Sequence, residues 1–455
     1  EYEKIITDKV TNYFNDDNEE IINFLKEKFS IKNDNINKIL EKYYNLYNEK
    51  IYIHITYSIS DLDHDMIKNV PPGGNWEDIP QSVVERSKRL TQISKSGGRT
   101  TLYGRLDPEQ PSYTVTTYFN RPGNGTYVHY EYYEDNEERT QNRVISAREA
   151  ARLQSFPDYY VFKGPKTSLR KQIGNAVPPL LAYHIGKHVK QFLNGKNVVD
   201  LFCGAGGLSL GLNMAGFNIT AANDNFHHAC STYRLNHPGT NLIEGDINKS
   251  QVKEDLLHSL NNTEIDMIVG GPPCQGFSMA GKRFINDPRN YLFKEFVKIV
   301  EKIQPKMIIM ENVKGILSLG KFYNTIKTFF EDLGYLVQAE TLNSAEFRVL
   351  KKSKRIFLIS ILNGKKNEYE LFPQTLFTEE QDQLKLFSNN DKKINQPYVN
   401  VKEAISNLPR IKANGGKQIM NSNDSYDFSA YQLLMKGVLS FEDFSNIRKE
   451  EKRGS

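Results

Sequence analysis

Short apolar runs alternate with amphipathic stretches over residues 196–369. The run VVDLF at 198–202 enters a glycine-rich turn and continues as an amphipathic helix to residue 212. Further apolar runs at 218–222, 241–243, 267–269, 306–310, 335–341 and 355–361 each read as a strand, and 291–303 has helical spacing. Strands alternating with helices predict an α/β fold with a doubly wound sheet. Upstream, SAREAARLQSF at 146–156 reads as a helix, with Ser146 as N-cap and Glu149 as the acid of a capping box. Arg148 lies in its first turn, as an ion-pair partner or as a phosphate contact. Residues 113–118, YTVTTY, read as a strand, and 117–130 as a loop carrying Arg121, Gly123 and Gly125. Residues 171–179, KQIGNAVPP, read as a turn before an apolar helix at 180–193.

The ends of the chain are less patterned. Residues 1–50 have helical spacing, with Ile21, Ile22, Phe24, Leu25 and Phe29 on one stripe. Tyr43, Tyr44, Tyr47 and Tyr52 follow among lysines, as core residues or as stacking surfaces for bases. Beyond about residue 365 the chain turns Asn- and Lys-rich, with a short helix expected at 401–409 and a charged helical tail at 430–453.

Composition narrows the class only a little. A chain of 455 residues can hold two or three domains. The net charge of +4, from 59 basic and 55 acidic residues, is compatible with a polyanionic partner without pointing to one. Three cysteines, Cys203, Cys230 and Cys274, make neither a disulfide framework nor a zinc site, which fits a reducing cytoplasm. No apolar run is long enough to span a membrane.

Candidate chemistry gathers at the strand ends. Glycines at 204, 206 and 207 would let a ligand approach the backbone where a helix begins. Asp224, about twenty residues later, is placed for ribose hydroxyls. Asp246 suits an adenine amino group or a helix cap. Glu311 follows a strand expected to neighbour the one that leads into Cys274. That cysteine comes after Gly270-Gly271-Pro272-Pro273, a stiff turn that would present its thiol.

The string PPCQGFS at 272–278 resembles the nucleophile loop of the cytosine-5 DNA methyltransferases. DLFCGAGG at 200–207, ENV at 311–313, REAARLQSFPD at 148–158 and QIGNAVPP at 172–179 resemble further blocks of that family, over about residues 70–410. The last two blocks normally end such chains, and here they come first, which looks like a circular permutation. In the family's fold the QIGNAVPP helix packs beside the first strand, so the link at 194–196 suffices to join them.

The resemblance implies a Rossmann-like S-adenosylmethionine-dependent methyltransferase domain with a smaller target-recognition domain. Residues 196–369 would form the core and 71–195 the displaced catalytic blocks. Residues 1–70 and 370–455 would meet to form the recognition domain. It implies S-adenosylmethionine as methyl donor, S-adenosylhomocysteine as product, and no metal. Phe202, Gly204, Gly206 and Gly207 would cradle the donor, Asp224 the ribose, and Asp246 with Ile247 the adenine. Pro273, Leu292 and Asn175 would close the pocket. Cys274 would add to carbon 6 of a flipped cytosine while Glu311 donates a proton at ring nitrogen 3, with Arg355 orienting Glu311. The segment 279–290 would close over the base.

Implied partners are double-stranded DNA and a cognate restriction endonuclease, for a monomer in a prokaryotic cytoplasm. The chain departs from the family where a Gln-x-Arg-x-Arg run is usual. Lys351, Ser353 and Arg355 stand there, Arg348 replaces a glycine, and Asp224 stands for the usual Glu. An RNA cytosine-5 methyltransferase and a catalytically impaired DNA-binding homologue are the alternatives.

Overall fold

A computed structural model describes residues 50–97, 100–134, 136, 138, 140–273, 291–313, 320–365, 368–375, 398–421, 428–440 and 442–444. Four strands come before the main sheet among these residues: β1 (Lys50–Ile55), β2 (Gly104–Arg105), β3 (Ser112–Tyr113) and β4 (Thr126–Val128). The sheet begins with β5 (Asn197–Leu201), β6 (Asn218–Asp224), β7 (Asn241–Glu244), β8 (Met267–Gly270) and β9 (Met307–Val313). It is completed by β10 (Tyr335–Asn343) and β12 (Lys354–Leu362), with the short β11 (Lys351–Lys352) between them and β13 (Gly416–Asn421) last.

The sheet order is β10-β12-β9-β8-β5-β6-β7. Pairings from β9 through β7 are parallel, and β12 alone runs against both its neighbours. This is the doubly wound α/β architecture that the alternating pattern predicts. The apolar runs are nearly continuous because both faces are covered. Val198, Met267, Val269, Met307 and Ile309 pack on one side, into the core that includes the helices Pro179–Val189 and Gly207–Met214. Val199, Leu201, Ile268, Ile308 and Met310 pack on the other, with the helix Tyr291–Ile303. Strand order reverses between β5 and β8, and open sheets hold their ligands in the crevice at such a point.

Residues 143–158 carry a buried ionic layer. The capping box of the helix Ala147–Leu153 is present, with the Ser146 hydroxyl accepting from the Glu149 N–H and the Glu149 carboxylate accepting from the Ser146 N–H. Glu149 also takes both terminal nitrogens of Arg143, at 2.8 and 2.7 Å. Arg152 bonds Asp158 in the same bidentate way. Arg148 has its structural role: fully buried, it donates to the carbonyls of Tyr52, Pro157 and Tyr160.

Strand β1 pairs antiparallel with β13, placing Tyr52 opposite Ile419 and His54 opposite Lys417. His54 is held between the Ser146 hydroxyl at 2.8 Å and the Pro409 carbonyl at 2.7 Å. Segments far apart in the chain thus meet beside the helix Ala147–Leu153.

Several elements differ from the sequence reading. Residues 171–175 are not a turn but the end of the helix Lys166–Asn175, which stops before Pro178. The 113–118 strand shrinks to β3, because its partner β11 offers only Lys351 and Lys352 to pair with. Strand β9 runs on through Glu311 to Val313. The 401–409 helix is Val401–Ile405, and of the 430–453 tail Ala430–Met435 is helical, with a further turn at 442–444. The helix expected within 1–49, Tyr43, Tyr44 and Tyr47 lie outside the described residues. No helix among the described residues is long and apolar enough to cross a membrane.

Candidate active site

A cavity of about 730 Å³ opens at the carboxyl ends of β5, β6, β8 and β9. Nine of the ten residues expected to hold a methyl donor line it: Asn175, Phe202, Gly204, Gly207, Asp224, Asp246, Ile247, Pro273 and Leu292. Glu311 and Arg355 line it too. Gly206 does not. It caps the helix Gly207–Met214 at φ +89°, and a side chain there would run into His237 and Tyr160 on the far side. Cys274 and the segment 279–290 lie outside the described residues. Pro273, the neighbour of Cys274 in the chain, is on the cavity wall.

The glycine turn is built for close approach. A Cβ on Gly207 would lie 2.3 Å from the Val177 carbonyl oxygen, so the QIGNAVPP stretch at 172–179 presses directly on the start of this helix. The Gly204 N–H donates to one oxygen of Asp224 at 2.9 Å, and the Phe226 N–H to the other at 2.8 Å. Burial still pushes the Asp224 carboxyl above its usual range, against the pull of these backbone donors. Asp246 does not cap a helix end. Its carboxylate accepts from the Asn248 N–H at 3.1 Å and shapes the turn that carries Ile247.

On the opposite wall, Glu311 and Arg355 form an ion pair that is almost fully buried. Adjacent antiparallel strands deliver them: Glu311 faces Phe357, and Arg355 faces Val313, across β9 and β12. Gly271 leaves room for the pair, since a Cβ there would sit 3.0 Å from a Glu311 oxygen. Arg355 also donates to the Ala176 carbonyl at 3.0 Å, so the QIGNAVPP stretch helps to aim it.

Lys351 is wholly buried, and its amine has no hydrogen-bond partner among the described residues. Burial first, then the Arg355 charge, hold its pKa well below that of an ordinary lysine, against the opposing pull of Glu311. Ser353 is buried, and its carbonyl accepts from the Ser344 N–H at 2.9 Å. Arg348 adopts φ +63° and donates to the Phe444 carbonyl at 3.1 Å, its guanidinium over the Phe444 ring.

The sequence reading assigned no role to Asp200, which also lines the cavity. The signal was an acid inside the apolar run VVDLF. Among the described residues no cluster of His, Cys, Asp and Glu has the makings of a metal site.

The sequence profile of the C-5 cytosine-specific DNA methylases matches residues 9–191 and 196–445. The chain belongs to that family. The chain is 39% identical over 229 residues to the Type II methyltransferase M1.HphI of Haemophilus parahaemolyticus, covering 49% of this chain and 55% of that one. It is 38% identical to the Type II methyltransferase M.AquIA of a Picosynechococcus species, covering 47% and 89%. It is 37% identical to the Type II methyltransferase M.DdeI of Desulfomicrobium norvegicum, covering 50% and 51%. The chain thus matches about half the length of the first and third of these relatives. The break between the two profile matches falls just before β5.

Proposed function

We propose that the methylase is a DNA cytosine-5 methyltransferase of a restriction–modification system, working with S-adenosylmethionine on a cytosine flipped out of duplex DNA. The reading rests above all on one observation: the Glu311–Arg355 pair and Asp224 face a single cavity whose wall ends one residue before Cys274. The cavity falls within the range usual for small-molecule sites, roughly 300–1,000 Å³. Its residues suit the donor, with Asp224 at the end of β6 for ribose hydroxyls and Asp246 with Ile247 beside the adenine.

The bound donor supplies an electrophilic methyl group. The Cys274 thiolate adds to carbon 6, which makes carbon 5 nucleophilic. Glu311 donates a proton at nitrogen 3 as charge develops there. Arg355 holds Glu311 in place and, anchored on the Ala176 carbonyl, keeps the ring edge against it. After methylation, loss of the carbon-5 proton expels the thiol. The base must leave the stack for this attack, and 279–290 is assigned to closure over it. Residues 1–70 and 370–455 form the recognition domain, a reading supported by the pairing of β1 with β13. The block order makes the chain a circular permutant. It acts as a monomer in a prokaryotic cytoplasm, beside an endonuclease that reads the same site.

The test is methyl transfer from labelled S-adenosylmethionine to unmethylated duplex DNA, with 5-methylcytosine quantified by mass spectrometry. Wild type is expected to make product and Cys274→Ala none. Product on transfer RNA but not on DNA would move the substrate to RNA, and no product on either would point to an impaired homologue.

A further inference from the structure

On the floor of the cavity lies a carboxyl group with no cation beside it among the described residues. Asp200 is the fourth residue of β5 and is 1% exposed. One of its oxygens accepts the Ser209 hydroxyl at 2.6 Å, and the other has no hydrogen-bond partner among the described residues. Asp224 nearby has backbone donors on both oxygens, whereas Asp200 has one donor for two. Among the described residues, the titratable groups that Asp200 faces are Asp224, Cys203, Tyr160 and Tyr233, none of them basic. Of the cations on the cavity wall, Arg355 is engaged with Glu311 and Lys171 lies over the Phe226 ring. Burial above all, and Asp224 besides, push the Asp200 carboxyl up to about 7, against the Ser209 hydroxyl. A buried acid with no counterion among the described residues is stabilised as the anion by a ligand that brings net positive charge into the cavity.

We propose that Asp200 is a charge-sensing residue, which makes the cavity favour the cationic methyl donor over its neutral thioether product and releases a proton when the donor binds. The inference rests on the methyltransferase reading. S-adenosylmethionine and S-adenosylhomocysteine share adenine, ribose, ammonium and carboxylate. They differ in one methyl group and in the positive charge on sulfur. When the sulfonium arrives, the Asp200 proton passes to solvent and the carboxylate attracts the donor. After methyl transfer the sulfur is neutral, the carboxylate takes a proton back from solvent, and that attraction is gone. A spent cofactor is thereby released more readily than a charged one.

The sign follows from linkage. Donor binding lowers the Asp200 pKa, so donor affinity rises as pH passes upward through 7 while product affinity does not. If the donor lowers that pKa by one unit, the ratio of product Kd to donor Kd rises about fivefold between pH 6 and pH 8. The experiment is isothermal titration of the full chain with each ligand at pH 6, 7 and 8, in buffers of different protonation heat. Wild type is expected to release protons with the donor and not with the product, and its Kd ratio to climb with pH. Asp200→Asn is expected to flatten both signals. Ser209→Ala removes the hydroxyl that opposes the raised pKa, so it should move the climb to higher pH. A ratio independent of pH in wild type, or an equal climb in Asp200→Asn, would overturn the inference alone. Failure of both ligands to bind would overturn the methyltransferase reading and this inference with it.

Discussion

Replacing Lys351 with Met should make the protein more stable, by an amount that depends on pH. The amine is fully buried and has no hydrogen-bond partner among the described residues, so the substitution breaks no bond there. Burial first, and the Arg355 charge after it, hold the folded pKa well below the unfolded value, so folding works against the charged form. Met keeps most of the apolar stem, and imperfect refilling takes back about 1–1.5 kcal/mol. The expected net gain at pH 7 is about 1–4 kcal/mol, the order found when buried charged groups give way to apolar ones of similar volume. The sign of the pH dependence is fixed by proton counting. Because the folded pKa is lowered, the unfolded state binds more protons between that pKa and about 10.4, and wild-type stability rises with pH across that window by up to about 1.4 kcal/mol per unit. Lys351→Met has no such term, and its advantage should shrink by that amount per unit. Guanidinium unfolding of both proteins at pH 7, 8 and 9 measures the gap directly. A gap that stays constant with pH, or a Met variant less stable at pH 7, would refute the argument, because Lys351 would then be charged in the fold.

Other substitutions test the remaining contacts. Arg355→Ala leaves the Glu311 carboxylate buried without its partner, a loss of about 3–5 kcal/mol, and Arg355→Lys should also lower kcat because one amine cannot serve Glu311 and the Ala176 carbonyl together; single-turnover methylation and thermal melts read both. Gly207→Ala drives a methyl group to 2.3 Å from the Val177 carbonyl oxygen, and should cost about 1–3 kcal/mol and weaken donor binding, measured by melting and by titration. Burial, the largest single influence, would raise the Glu149 pKa, but the Arg143 guanidinium with His129 and His54 together outweigh it and the net shift is downward. Its stabilising contribution is therefore complete above the unfolded value near 4.3 and is lost as pH falls below it, so Glu149→Gln should be less stable at pH 7 and show a flatter acid limb in denaturation series.

Where the sequence spoke clearly, one strong local signal agreed with the packing. The apolar runs at 198, 267 and 307 are strands covered on both faces, and Ser146 with Glu149 is a capping box in both readings. Signals failed where the deciding contact was remote. Residues 171–175 carry Gly174 and Asn175, which suggest a turn. In the fold Gly174 is helical, and a Cβ there would strike the Thr117 backbone nitrogen at 2.5 Å, so the glycine serves a neighbouring segment. Arg105 is fully buried, with the carbonyls of Val70, His129 and Ile67 and the Asn142 side chain around it, and no spacing of charges announces such a site. Gly206 looked like its neighbours in the glycine turn, yet it makes room for His237 and Tyr160 instead of the cavity. The assignment of Cys274 still rests on its flanking string.

The pairing of β1 with β13 also sets a timetable for synthesis. Some 360 residues separate Ile55 from Gly416, the partners at one end of that ladder. At translation rates of about 5–20 residues per second, β1 waits roughly 20–70 s for its mate to be made. Throughout that time the whole of the seven-stranded sheet is produced and can close. The strand meanwhile carries Ile51, Ile53 and Ile55, all buried in the finished fold, beside backbone groups with no ladder partner. A nascent chain therefore completes its main sheet first and carries an adhesive strand until β13 is made, so its yield should depend on chaperones that cover that strand.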